Sequence, residues 1–96
     1  MDQTAMLTAL KTDLGFTTSA YDDRLTQKLS EAVARIEREG AALDTENSEE
    51  DAELVVMYAA YLWAQRRNPP AEMPRMLRWA LNNRIFSEKM QTGDEK

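Results

Sequence analysis

Apolar positions recur along this chain at helical spacing, and in one stretch they close up into an unbroken run, Leu54-Val-Val-Met-Tyr-Ala-Ala-Tyr-Leu-Trp-Ala64. The run is opened by Ser48-Glu-Glu-Asp51 and closed by Arg66-Arg67-Asn68-Pro69-Pro70. A helix that is hydrophobic around its whole circumference is stable only when other protein wraps most of it. The run is also well short of the roughly 20 apolar residues that a bilayer span needs. It therefore predicts a central helix over about 49–67, with the rest of the chain folded around it. Ser48 and Asp51 match a capping box, and Glu49, Glu50 and Asp51 complement the positive end of the helix dipole. Pro69 pushes Asn68 out of helical geometry and ends the element.

Three further stretches carry a one-sided pattern. Leu7, Leu10 and Leu14, with Met6 beside them, predict a helix capped by Asp2 and stopped at Gly15, with Phe16 folding back as in a Schellman motif. After Thr17-Thr18-Ser19, Ser19 and Asp22 match a second capping box, so a helix is predicted from about Ala20 to Glu39, with Gly40 as its stop. Leu25, Leu29, Ala32, Val33 and Ile36 form its apolar stripe. The opposite face holds Arg24, Lys28, Glu31, Arg35, Glu37 and Arg38, with Glu31 and Arg35 at the favourable four-residue spacing. Residues 41–47 read as a loop. The last predicted helix starts at Pro74, which suits a first helical position, and runs to about Lys89. Met73, Met76, Leu77, Ala80, Leu81 and Ile85 are its expected core face. Trp79, Phe86 and Met90 fall on a second face, interleaved with Arg75, Asn82 and Asn83. No strand alternation and no internal repeat interrupts the helical pattern. The expectation is an all-α bundle of four helices in a single domain over residues 1–90, with 91–96 as a disordered tail.

Composition narrows the chemistry. The 96 residues include no cysteine and no histidine, which removes disulfides, thiolate nucleophiles and the commonest general base and metal ligand. Three glycines fall at helix ends or in the tail, and no phosphate-binding loop can be assembled from them. Ser19 and Ser48 sit at predicted caps with no histidine to activate them, so capping accounts for both. The acidic run from Glu46 to Asp51 lacks the spacing and glycine of a calcium loop. No catalytic residue, metal site or cofactor is expected. The first residues lack the basic and apolar regions of a signal peptide, which points to a soluble intracellular product.

Charge is distributed unevenly. Residues 1–53 hold thirteen acids against five bases, net −8, while residues 54–96 hold four acids against seven bases, net +3. Such a dipolar chain can dock head to tail on its own copies, and a closing rotation would make a ring. The basic set Arg66, Arg67, Arg75, Arg78 and Arg84 admits two functional readings. One is phosphate contact, against which stand the acidic total and the absence of a helix-turn-helix spacing. The other joins the arginines to Trp79, Phe86 and Met90, the composition of a protein-interface hot spot. A plainer possibility is that Trp79 packs over residues 41–47 or over the proline corner.

With these residues in view, the chain resembles the head–tail connector proteins of long-tailed bacteriophages, also called head-completion or adaptor proteins. The matching pattern opens with Leu7-x-x-Leu10-Lys11-x-x-Leu14-Gly15-Phe16. It continues through Asp22 and Asp23 to Leu25, Leu29, Ala32 and Ile36, then Tyr58-Ala-Ala-Tyr61, the arginine pair, and Met73-Pro74-x-x-Leu77. It covers most of residues 5–87. The resemblance implies a structural protein without enzymatic activity or cofactor. Such a protein assembles as a ring under the portal, extends the DNA channel and presents a surface to the next connector or tail component. It would act at the head–tail junction of the virion after assembly in the host bacterial cytoplasm, with non-specific DNA contact in the channel and no membrane. On that reading Arg75, Arg78, Trp79, Arg84, Phe86 and Met90 are candidate contacts to portal or neighbouring subunit. The alternative is a small DNA-associated or regulatory helical protein of a prophage.

Overall fold

A computed structural model describes residues 1–67 and 72–93, without the side chains of 66, 67 and 91–93. The chain is an all-α bundle of four helices, α1 (Gln3–Leu14), α2 (Asp22–Glu39), α3 (Glu49–Arg67) and α4 (Arg75–Gly93). Its extents are 49 × 30 × 18 Å. The predicted central run is α3, in which Ala52, Leu54, Val55, Val56, Tyr58, Ala59, Leu62 and Trp63 are buried. The other helices supply Met6 and Leu10 from α1, Leu25, Leu29, Ala32 and Ile36 from α2, and Leu77 and Leu81 from α4. Each fully buried leucine or isoleucine contributes about 1.5–3 kcal/mol by leaving water.

The first helix stop matches its sequence signature. Gly15 has φ +80°, the left-handed value that costs a glycine nothing. Its N–H donates to the Thr12 carbonyl at 3.3 Å and that of Phe16 to the Lys11 carbonyl at 2.9 Å, the paired bonds of a Schellman motif. The Phe16 ring then lies 5.6 Å from Trp63, edge to face, and 5.2 Å from Tyr21. Tyr21 also meets Trp63 at 5.8 Å. This aromatic trio fastens the end of α1 and the start of α2 onto α3.

Helix α2 begins at Asp22, two residues later than its capping-box pattern predicts. Ser19 contributes its carbonyl, which accepts from the Asp22 N–H at 3.2 Å, and the N-cap position falls to Tyr21, which makes no side-chain cap. The reason is a competing charge: Asp22 Oδ1 lies 2.9 Å from Lys11 Nζ, close but off the hydrogen-bonding direction. The capping box at Ser48 and Asp51 forms in part, since the Asp51 N–H donates to Ser48 Oγ at 3.2 Å. On α2, Glu31 meets both Lys28, at 3.3 Å, and Arg35, at 3.0 Å. Burial tends to raise the Glu31 pKa, but the two cations outweigh it and hold the carboxyl below its ordinary value.

Two boundaries of the last helix differ from expectation. Pro74 stands just before α4, with its carbonyl accepting from the Arg78 N–H at 3.0 Å. The far end continues to Gly93, past Lys89, because no helix breaker occurs before that glycine. Residues 94–96 of the expected tail lie outside the described residues, as do Pro69 and Pro70. Met76 is also displaced from its expected place in the core and is 69% exposed. The core-facing side of α4 is narrower than predicted, with Leu77 and Leu81 buried and Met73, Ala80 and Ile85 packed at its edges.

Candidate functional site

Helix α4 presents apolar side chains on two opposed faces. Opposite Leu77 and Leu81, the exposed row is Met76, Trp79, Phe86 and Met90, at 69%, 64%, 64% and 56% exposure. Asn83, also exposed, fills the one gap in the row. Isolated exposed apolar residues are ordinary on a protein surface, whereas a contiguous row of large ones marks a docking surface. Trp79 does not cover residues 41–47. It borders a cleft of about 400 Å³ between α3 and α4, lined by Leu54, Met57 and Ala80 together with Glu50 and Glu53. Of the predicted contact set, Trp79, Phe86 and Met90 therefore share one open face. Met76 belongs with them and was placed in the core from sequence; its position three residues before Trp79 is the signal that assigns it to the row.

The arginines separate into different roles. Arg75 is exposed at the start of α4, beside the apolar row. Arg78 is 46% exposed and approaches Glu39 of α2 at 3.4 Å, a solvent-screened pair of little energetic weight. Arg84 is largely shielded and held by contacts within the fold. Its Nε donates to Asp51 Oδ1 at 2.7 Å and its Nη2 to the Ala42 carbonyl at 2.6 Å. Glu88 lies 3.3 Å from Arg84 Nη1 and also accepts the Ala42 N–H at 2.7 Å. Asp51 in turn accepts the Asp44 N–H at 2.9 Å. The hydrogen bond to Asp51 leads the interactions that raise the Arg84 pKa above its already high ordinary value. The guanidinium thus ties α4 to the start of α3 and to the loop between α2 and α3. Asp51, the buried charged residue at the centre of this network, was legible in sequence only as a helix-start acid.

Among the described residues no group of acidic side chains is arranged to hold a metal ion. No helix of the described residues is long and apolar enough to cross a membrane. Tyr58 is buried on α3, and burial, followed by the negative charge of Glu39, raises its phenol above the ordinary value. Tyr61 accepts a 2.6 Å hydrogen bond from Gln65 Nε2, which places its hydroxyl in a local structural contact. Comparison with known proteins gives no family: no family model matches the chain, and neither a curated protein nor a solved structure does.

Proposed function

We propose that this chain is a non-catalytic assembly subunit that docks through the outer face of α4. The observation that carries this reading is the exposed row Met76, Trp79, Phe86 and Met90, flanked by Arg75 on the side away from the core. Large apolar side chains beside arginine are the usual anchors of protein interfaces. The acidic first half of the chain gives copies of the molecule surfaces of opposite charge. The resemblance to head–tail connectors supplies the setting. On this reading the protein is a phage or prophage adaptor that forms a ring under the portal and joins the DNA-filled head to the next connector or tail component. It acts at the head–tail junction of the virion, after assembly in the host bacterial cytoplasm, and needs no cofactor. The DNA-associated alternative draws on the same arginines, of which Arg84 is already held by Asp51.

The test is binding to DNA-filled, tailless heads of a candidate phage, followed by recovery of tail joining. The wild-type chain should bind the heads and restore joining. A variant with Arg75→Glu and Trp79→Ala should do neither while keeping its helical circular dichroism. Failure to bind heads, together with tight binding to free DNA that weakens steeply with salt, would replace the connector reading with the DNA-associated one.

A further inference from the structure

The exposed row on α4 has a spacing that identifies what fits it. Positions 76, 79, 83, 86 and 90 are separated by three, four, three and four residues. That is the a-d-a-d-a seam of a coiled coil, with Met76, Asn83 and Met90 at a and Trp79 and Phe86 at d. A seam of this kind is complementary to another of the same period, and it is exposed here over four helical turns. We infer that the seam pairs with the same seam of a second copy, side by side and parallel, forming a two-stranded coil that projects from two bundles. The inference concerns the free protein and stands apart from the connector reading.

Three observations choose this occupant and this orientation. Asn83 sits at the central a position, where in-register parallel pairing sets it against Asn83 of the other copy. Each amide then satisfies the other, and a lone asparagine at such a position specifies two strands in register. The flanks agree as well. Arg75 lies on one side of the seam, and Ala80 lies on the other, beside the cleft that carries Glu50 and Glu53. Parallel pairing brings Arg75 of one copy to the Ala80 side of its neighbour, near these acids. The area is also adequate. The four large side chains leave on the order of 500 Å² open, at the upper end for the largest apolar patch of a monomer. With its small flanks Ala80 and Ser87 the seam approaches the roughly 800 Å² per partner of a standard interface. Pairing at the small end of that range is concentration-dependent, so an assembly partner that binds the same face can open the dimer.

The chain has no cysteine, so single cysteines report the pairing directly. Met76→Cys and Met90→Cys are made separately, with Thr17→Cys, at an exposed position outside the seam, as control. Parallel pairing should give each seam variant a covalent dimer under mild oxidation, at least tenfold faster than the control. Wild-type protein should pass from monomer to dimer in light scattering as concentration rises, with a blue shift of Trp79 fluorescence. Phe86→Glu, at a site outside the core, should abolish both changes and leave the helical signal intact. Cross-linking only when the Met76→Cys and Met90→Cys chains are mixed would establish antiparallel pairing and overturn the inference. Cross-linking at the control rate, a wild-type monomer at every concentration, or an oligomer that survives Phe86→Glu would overturn it too. None of these assays involves phage heads, so their outcome and that of the head-binding test are separable.

Discussion

Removing the Asp51 carboxylate should be the most damaging single change to a charged residue in this molecule. Its side chain is 5% exposed, and it faces Arg84, at 20% exposure, through bonds of 2.7 and 3.4 Å. It also accepts the Asp44 N–H. Asp51→Ala strips the guanidinium of its principal counter-charge and leaves a backbone donor without a partner. Truncating one member of a buried ion pair costs about 3–5 kcal/mol. Arg84 keeps Glu88 and the Ala42 carbonyl and retains some contact with water, which brings the expectation down to about 2–3 kcal/mol. For a domain near this length, that corresponds to a fall in Tm of roughly 10–20 °C. Urea unfolding followed by circular dichroism gives the measurement, with Arg84→Met and the double variant completing a thermodynamic cycle. The single changes should each be costly, and the double variant should recover about 1.5–3 kcal/mol of their sum, because neither Asp51 nor Arg84 is then left facing a missing partner. An Asp51→Ala protein within about 0.5 kcal/mol of wild type, or strictly additive single changes, would refute the network's structural role.

Two further changes test local physics. Gly15→Ala should cost about 1–2 kcal/mol in urea unfolding, because φ is +80° there while no neighbouring atom lies within 4 Å of the added methyl, so the loss is backbone strain alone. Tyr58 is the group to follow at high pH. Its folded pKa is raised above 10.0 by burial, so the stabilising effect of the neutral phenol is fully present below pH 10 and is lost as pH rises through the folded value. Stability measured from pH 9 upwards should therefore decline more shallowly in Tyr58→Phe than in wild type, and parallel curves would contradict the assignment.

The elements were readable because each had a local cause. The run at 54–64 could only be a buried helix, Gly15-Phe16 carries its stop in two residues, and the stripe Leu25–Ile36 states which face of α2 is inside. Where the reading failed, a contact distant in sequence prevailed over a local preference. Ser19-x-x-Asp22 has the letters of a capping box, yet Lys11 from the preceding helix draws Asp22 away. Met76 satisfies the helical spacing of both faces of α4, and only the position of α3 decides which one is covered. Arg84 belongs by composition to a basic patch, but Asp51, 33 residues earlier, holds it inside.

The same distinction explains why the candidate surface was half legible. Periodicity records that a residue belongs to a face, and it does so equally for a face that packs within the chain and for one that packs on something else. Helix α4 carries both, offset so that Leu77 and Leu81 point inward while Trp79, Phe86 and Met90 point out. A helix that needed only to complete this bundle would carry polar residues on its outer side, as α2 does with Arg24, Arg35 and Arg38. Two tryptophans sharpen the contrast. Trp63, on the central helix, is enclosed by Phe16 and Tyr21, and its burial stabilises the fold. Trp79 stands in water at 64% exposure, where its ring contributes little to folding and much to any contact that covers it. Trp79→Ala should therefore leave unfolding almost unchanged while weakening association. A loss of stability approaching the 3–5 kcal/mol typical of a buried tryptophan would mean that the residue belongs to the core after all.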